Sequence, residues 1–214
     1  MALPGTAALA MWWDMAPDMR GEFEHWHTHE HFPERLSVPG FLRASRWIDA
    51  AGGEGFFVMY DVRDFDVLTS PAYLSHLNSP TPWSTKLMPH HRNMVRSQCR
   101  VVHSEGGGVA GHAVTVRLPD GDGVVDKLRG LSMQEGIGGA HLLHAQVPAI
   151  AQTTEQKIRG GKDRVAEWIV VLCGYDEAAL QDAASPIAAM PGAVMGRWRL
   201  AISLAANPQR SCPA

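Results

Sequence analysis

The stretch Glu22–Arg46, EFEHWHTHEHFPERLSVPGFLRASR, joins an amphipathic helix to a strand and holds a dense group of ionisable residues. Phe23 and Trp26 recur at helical spacing and predict the buried face of the helix. Pro33 is expected to end the helix within a turn, because proline lacks an N–H group and clashes with the preceding turn. The alternation at residues 41–49 then predicts a strand. We interpret the rest of the chain as the scaffold around this helix and strand.

The predicted elements follow the order β-α-β-β-α-β twice along the chain. In the first half, strands and helices are predicted at residues 7–15, 17–33, 41–49, 55–62, 70–77 and 94–103. In the second half, the corresponding segments are residues 110–118, 123–134, 139–147, 167–174, 176 onward and 194–204, with a polar excursion at 153–163. Gly106-Gly107-Gly108 marks the boundary, which gives a first half of residues 1–105 and a second half of residues 109–214.

Each β-α-β-β-α-β unit is a ferredoxin-like half, whose four-stranded sheet carries helices on one face only. The uncovered face needs a partner, and the other half of the same chain provides one. The sequence therefore predicts an α+β fold in which two tandem ferredoxin-like halves form a pseudo-dimeric α+β barrel. Polar residues within the strands, such as Arg96, Gln98 and His141, predict a partly polar barrel interior.

The composition excludes several classes of partner. With 214 residues, a net charge of −3, a pI near 6.4 and scattered lysines and arginines, the chain is expected to bind no nucleic acid. No run approaches the roughly 20 apolar residues of a membrane span, so we expect no membrane partner and a cytoplasmic protein. Three distant cysteines without CxxC spacing argue against a disulfide framework and a thiolate metal site. The expected partner is a small-molecule ligand, and we allow for a homodimer of pseudo-dimeric chains.

The first helix contains four histidines at alternate positions: His25, His27, His29 and His31. Within them, His27, Glu30 and His31 spell the H-x-x-E-H pattern of inverted zincins, in which two histidines bind zinc and the glutamate serves as base. On a helix, the two histidines would lie within about 40° of each other. Against a zinc site stand the ferredoxin-like frame, the expected helix end at Pro33 and the lack of an obvious third ligand, so we expect no metal.

Two segments resemble a known group of proteins. The runs EFxxWxxxEHFPERLSVPGFLRASRW and LTSPAYLSHLNSPTPWSTKLMPHHRNMVRSQCRV are similar to the EthD-like group within the dimeric α+β barrel superfamily. The resemblance covers residues 7–102, and the second half is similar only in element order. It implies a small-molecule pocket in or at the mouth of the barrel. The superfamily includes polyketide cyclases, muconolactone isomerases, cofactor-free monooxygenases and haem enzymes, so the fold does not determine the reaction.

The end of the first helix is the predicted functional site. His31 is the candidate general acid or base, since imidazole titrates near neutral pH, and Glu30 or Glu34 is the catalytic carboxylate that positions it. Three arginines are candidates to hold a carboxylate or enolate oxygen of the ligand: Arg35, Arg43 and Arg46. The other candidate substrate-binding residues are Trp26, His27, Tyr60, His90 and His91. The alternative for Glu30 and His31 is structural, a carboxylate that orients an imidazole at a helix end.

Two functions from different classes remain open. The first is an enzyme, without metal or organic cofactor, that uses His/Glu proton transfer on a small apolar substrate with a carbonyl or phenol. The second is a non-catalytic module that binds or senses such a ligand. His141 and His144 are the candidate haem ligands, but lone strand histidines are usually core or surface residues, so we expect no haem. Function is expected to lie in the first half, which holds eight of the eleven histidines.

Overall fold

Eight antiparallel strands form a closed barrel in the part of the chain that the structure describes. The structure is a computed structural model, and it describes residues 3–107, 109–148, 150–161 and 163–207. Gly108, at the predicted boundary, lies outside these residues. The strands are β1 Ala7–Met15, β2 Phe41–Asp49, β3 Gly55–Val62, β4 His91–Gly106, β5 His112–Leu118, β6 Ile137–Ala145, β7 Trp168–Gly174 and β8 Val194–Ala205.

The strand order repeats within the barrel. Around the barrel the order is β1-β3-β2-β8-β5-β7-β6-β4. The first four strands form one continuous arc, β4-β1-β3-β2, and the last four form an arc with the same internal order, β8-β5-β7-β6. Pairing of β2 with β8 and of β4 with β6 joins the two arcs edge to edge. The predicted α+β class and pseudo-dimeric barrel are thereby confirmed, whereas the boundaries at residues 105 and 109 stay predictions.

Short helices cover the outside of the barrel. They are α1 Arg20–Trp26, α2 Phe32–Leu36, α3 Pro71–Asn78, α4 Pro82–Leu87, α5 Val124–Leu128, α6 Thr154–Ile158 and α7 Glu177–Ala188. The predicted N-cap of α3, Ser70, accepts a hydrogen bond from the N–H of Tyr73. Among the described residues, no helix is long and apolar enough to cross a membrane.

The N-cap of α7 provides a test of local stability. The Asp176 carboxylate accepts hydrogen bonds from the N–H groups of Ala178 and Ala179, which have no partner inside the helix. We expect Asp176→Ala to lower the free energy of unfolding by about 1 kcal/mol, as measured by urea denaturation. Asp182→Ala, at an exposed position of the same helix, is the matched control and should not destabilise the protein. Equal effects of the two substitutions would contradict the capping role.

The sequence predicted that the first helix ends at Pro33, and this prediction is wrong. Residues His27–His31 form a π turn, in which the N–H of Phe32 donates to the carbonyl of His27 five residues earlier. Helix α2 then continues through Pro33 to Leu36. The wider π turn moves the preceding carbonyl groups, so the ring of Pro33 does not clash with the carbonyl four residues earlier. Pro33 also lies in the first turn of α2, where its missing N–H group would have no partner inside the helix. The helical part of the chain therefore also includes Glu34 and Arg35, which lie in α2.

Two second-half predictions also require correction. The predicted helix at residues 123–134 is divided into α5 and a 3-10 turn at Leu131–Met133, because Gly130 adopts a left-handed conformation with φ of 77°. The polar excursion at residues 153–163 contains α6, which begins with a capping box between Thr153 and Gln156. A segment interpreted as a loop is therefore an ordered helix, and it lies against α3 of the first half.

The barrel interior is mainly apolar. Phe57 stacks between Trp12 and Trp47, with ring centroids 5.0 Å from each. Of the polar strand residues used to predict a partly polar interior, Gln98 and Arg96 pair in register with Leu9 and Met11, which lie in the apolar layer under the first-half helices. They face outward for this reason, because side chains at paired positions share a face.

Polar groups do enter the barrel near one end. Arg43 pairs there with Asp61, and the buried His141 lies with its Nδ1 atom 2.8 Å from Oγ of Ser104.

Outside the barrel, the helix layers differ between the halves. The first-half layer is aromatic, whereas the second-half layer is aliphatic, with residues such as Val116, Leu142 and Leu180.

Candidate functional site

A small cavity lies between the outer face of the first-half sheet and the helices, with a volume of about 40 Å³. This cavity lies outside the barrel wall, so it is not the pocket in or at the mouth of the barrel that the resemblance implies. Six of the predicted site residues line the cavity: Trp26, His27, His31, Arg35, Tyr60 and His91. The π turn places His27 and His31 on the buried side of the helix, where both are almost fully buried.

Three imidazoles form one wall of the cavity: those of the buried His27 and His31 and that of the partly buried His91. The His27 and His31 rings stack with centroids 5.4 Å apart, and the His31 ring lies 4.6 Å from that of Trp26. The His91 ring lies 5.2 Å from that of Trp13. Burial lowers the pKa of His27 and of His31, and it lowers the pKa of His91 to about 3. All three imidazoles are therefore neutral at pH 7.

The Glu34 carboxylate lies next to Nδ1 of His31. Oε2 of Glu34 lies 3.5 Å from Nδ1 of His31, an ion-pair distance rather than a short hydrogen bond. Burial opposes ionisation of Glu34, but the His31 imidazole and the Arg35 guanidinium lower its pKa to about 2. Because an ionised carboxylate only accepts hydrogen bonds, the proton of neutral His31 belongs on Nδ1. Nε2 is then unprotonated, and it makes no hydrogen bond to any group in the described part of the chain.

His91 presents a second acceptor. Its Nδ1 atom lies 3.3 Å from the carbonyl oxygen of Leu87 and 3.2 Å from that of Met88. Carbonyl oxygens only accept, so Nδ1 carries the proton and Nε2 of neutral His91 is also unprotonated. The cavity wall thus includes two imidazoles whose Nε2 atoms can each accept a hydrogen bond or a proton.

Tyr60 contributes a donor. Its hydroxyl is buried and has no hydrogen-bond partner among the described residues, and burial raises the pKa of the phenol, which stays protonated. An unpaired buried hydroxyl costs about 1–3 kcal/mol. A ligand oxygen or a water molecule in the cavity would remove that cost.

The second half of the chain also contributes to the site. Glu155 and Arg159 of the α6 region line the cavity, and Glu155 forms a buried ion pair with Arg35. Arg159 lies 3.8 Å from Glu155 and 2.8 Å from Asp163. The expectation that function is concentrated in the first half stays a prediction, and the α6 region of the second half adds two charged residues to a lining that comes mainly from the first half. The capping box and the i, i+4 spacing of Glu155 and Arg159 were the available sequence signals for an ordered, charged helix here.

Sequence reasoning also missed the rest of the lining, most of which is apolar. Alternate positions of β1 contribute three of these residues, and α3 with the segment around β4 contributes the rest: Leu9, Met11, Trp13, Tyr73, Leu77, Met88, Met94 and Arg96. The alternation of β1 indicates which residues share a face, but not which face lies under the helices.

Five predicted site residues do not line the cavity: Glu30, Glu34, Arg43, Arg46 and His90. Glu30 accepts hydrogen bonds from Nε1 of Trp26 at 3.0 Å and from the hydroxyl of Thr81 at 2.6 Å, which ties the helix to the start of α4. Arg46 lies behind the imidazoles, 3.4 Å from Nδ1 of His27. Arg43 is inside the barrel, and His90 lies outside the cavity lining. The carboxylate that the structure brings to His31 is therefore Glu34, not Glu30.

The described side chains do not fit a zinc or haem site. The stacked rings of His27 and His31 do not converge on one point, and no group of three metal-ligating side chains occurs within the described ranges. The His141 imidazole faces the barrel interior beside Ser104, and the His144 ring stacks on Trp168 at 4.0 Å. Neither histidine lines the His31 cavity, which at about 40 Å³ is far smaller than a haem.

Comparison with known proteins gives similarity in structure only. No protein-family model matches the chain, and no curated protein matches it in sequence. A candidate monooxygenase from Fusobacterium nucleatum subsp. nucleatum is 10% identical, with a TM-score of 0.59 over 94% of this chain and 95% of the other. An anthrone oxidase-like protein is 9% identical, with a TM-score of 0.62 over 100% and 99%.

A third similar structure is a candidate monooxygenase from Lactobacillus acidophilus, 12% identical, with a TM-score of 0.53 over 94% of this chain and 96% of the other. At these identities the similarity shows the fold, and it agrees with the α+β barrel described above.

Proposed function

We propose that this protein is a cofactor-independent enzyme of the EthD-like group that transfers a proton on a small, largely apolar substrate with a carbonyl or phenol. The observation that carries the proposal is the Glu34–His31 pair, in which an ionised carboxylate orients a buried, neutral imidazole that lines a cavity. A neutral imidazole oriented in this way is a general base. The proposal rests on the site and not on the names of the structural neighbours.

In the proposed reaction, Nε2 of His31 takes a proton from the carbon next to a carbonyl, or from a phenol. The imidazolium that forms is stabilised by Glu34, whose carboxylate faces the opposite ring nitrogen. The oxygen that gains negative charge accepts a hydrogen bond from Tyr60, whose hydroxyl is otherwise unpaired. Return of the proton from His31 to a different substrate atom completes an isomerisation without any other reactant.

The cavity must enlarge to admit such a substrate. A volume of about 40 Å³ holds about two or three water molecules, on the order of 15 Å³ of such space being needed for each. Helix α6 is the element best placed to move, since it is only five residues long and closes the cavity through Glu155 and Arg159. We propose that substrate enters beneath α6.

The proposal is tested with enolisable aromatic ketones of increasing size: 2-indanone, 2-tetralone and anthrone. Loss of the acidic C–H signal in D₂O, followed by NMR under anaerobic conditions, reports proton abstraction whatever step follows. We expect the protein to accelerate exchange for at least one ketone above the buffer rate. Oxygen uptake measured in parallel would show whether oxidation follows. Binding of a ketone without any accelerated exchange would favour the alternative, a non-catalytic ligand-binding or sensing module.

The pH dependence of exchange follows from His31. Burial and the Arg35 charge lower the pKa of His31 below the ordinary histidine value, whereas Glu34 opposes that decrease. His31 acts as a base when neutral, so the rate should stay constant down to about pH 6.5 and fall only at lower pH. Glu34→Gln removes the group that raises the pKa and should move this acid limb to still lower pH. An acid limb above pH 6.5 in the unsubstituted protein would contradict His31 as the base.

A further inference from the structure

A second cavity, of about 520 Å³, opens at one mouth of the barrel. Its lining comes from the ends of β1, β2 and β5 and from the beginnings of β3, β4 and β8, together with Arg164. The volume lies within the range of about 300–1,000 Å³ that is typical of small-molecule sites. It is separate from the His31 cavity, although Trp13 borders both.

Two arginines in this cavity have no carboxylate partner. Arg117, on the inward face of β5, is partly buried and forms no ion pair or hydrogen bond with any described residue. Arg164 donates to the carbonyl oxygen of Asn93 at 3.1 Å and pairs with no carboxylate in the described ranges. Burial and repulsion by Arg164 lower the pKa of Arg117. Arg117 is a partly buried cation without an anionic partner, which a ligand anion would stabilise, and the exposed Arg164 adds to the positive potential beside it.

The walls beside these arginines are aromatic. The Arg117 guanidinium lies 5.2 Å from the centre of the Trp12 ring. Trp198 also lines the cavity, with its indole N–H occupied by a 2.9 Å hydrogen bond to the hydroxyl of Thr115. Phe56 adds a third ring to the lining. Flat apolar surfaces next to a cationic pair fit a planar ring that carries an anionic group.

The acidic residues of the cavity do not neutralise the pair. Asp14 accepts a hydrogen bond from the side-chain amide of Asn93 at 2.7 Å, and Asp49 accepts one from the N–H of Ala51 at 3.0 Å. Neither carboxylate lies within 4.0 Å of Arg117 or Arg164, so the positive charge of the two arginines stays available.

We propose that the barrel mouth binds an aromatic carboxylate, with its carboxylate held by Arg117 and Arg164 and its ring against Trp198. The geometry favours a carboxylate on a flat ring over a simple anion, because the Arg117 guanidinium lies over an indole ring and the partly exposed side chain of Trp198 lines the same cavity. This site is independent of the proposed reaction at His31, and neither proposal requires the other.

Isothermal titration with benzoate tests the site, with benzyl alcohol as the uncharged control ligand. We expect benzoate to bind with one site per chain and at least tenfold more tightly than benzyl alcohol. Arg117→Gln and Arg164→Gln should each weaken benzoate binding about tenfold or more, since a hydrogen bond to a charged partner contributes about 1.5–3 kcal/mol. Arg129→Gln removes a cation that lines neither cavity, and it should leave the affinity unchanged.

Further variants keep the result decisive. Arg164 is exposed, so Arg164→Gln should fold even if replacement of Arg117 perturbs the barrel. His31→Gln alters only the other cavity and should not change benzoate binding. The proposal is overturned by equal affinity for benzoate and benzyl alcohol, by full affinity in a folded Arg164→Gln protein, or by loss of benzoate binding in His31→Gln.

Discussion

His31→Gln is expected to lower the rate of ketone proton exchange by about 10²–10⁴-fold, the usual contribution of a positioned general base. Glutamine keeps a polar side chain of similar length but has no basic nitrogen. The His31 imidazole is buried, and the Glu34 carboxylate lies 3.5 Å from its Nδ1 atom. No other described histidine on the cavity wall has a carboxylate at this distance, so none is oriented as a base in the same way. The measurement is the NMR exchange rate at pH 7.5 in D₂O.

His29→Gln is the matched control for this substitution. His29 belongs to the same π turn but is exposed, so its loss should leave the exchange rate within about twofold. Urea denaturation of both variants separates lost chemistry from lost stability. A His31→Gln protein that folds normally and exchanges the ketone at the original rate would remove His31 from the mechanism. His91→Gln would then test the second imidazole.

Glu34→Gln should lower the exchange rate less than His31→Gln, because the base itself remains. A carboxylate that positions His31 should affect both the exchange rate and the pH of its acid limb when it is replaced. A carboxylate with only a structural role should leave the pH of the acid limb unchanged. Glu30→Gln provides the comparison, since Glu30 bonds Trp26 and Thr81 rather than His31. If Glu30→Gln alone moved the acid limb, Glu30 would be favoured over Glu34 as the carboxylate that positions His31.

The sequence predicts the strands more closely than the helices. The limits of β1, β2 and β3 agree with the prediction at both ends, because alternation and flanking turn residues are local signals. The second-half helix was predicted too long because a single glycine, Gly130, adopts a left-handed conformation that ends α5 early. The π turn is also invisible in sequence, because it depends on how the imidazoles pack under the sheet rather than on local propensity.

The site could be predicted only in part for a related reason. The density of ionisable groups identified His31, His27 and Arg35, which do line the cavity. It did not distinguish Glu30 from Glu34. The π turn adds one residue to a helical turn, and this changes which of the two carboxylates lies next to His31. The contribution of Glu155 was missed because it lies 120 residues from Arg35, and long-range pairing leaves no local pattern.

Glu155→Ala is expected to lower the free energy of unfolding by about 3–5 kcal/mol, as in other buried ion pairs that lose one partner. Glu155 and Arg35 have side chains that are only 4% and 3% exposed, so the buried arginine would keep only Glu34, at 3.4 Å, as a carboxylate partner. Burial opposes the charge on Arg35, but the Glu155 carboxylate keeps the pKa of Arg35 above its ordinary value. The measurement is urea denaturation at pH 7 with a constant m-value.

Glu167→Ala is the control, because Glu167 is exposed and its loss should change the free energy of unfolding by no more than about 0.5 kcal/mol. The double variant Arg35→Met/Glu155→Leu removes both charges and should recover most of the loss, since a buried ion pair is often no better than apolar residues of similar volume. A cost below about 1 kcal/mol for Glu155→Ala, or a double variant as unstable as the single one, would show that α6 is not held to the first half by this ion pair. Recovery of stability in the double variant, together with faster ketone exchange, would instead identify the ion pair as the restraint that keeps the His31 cavity closed.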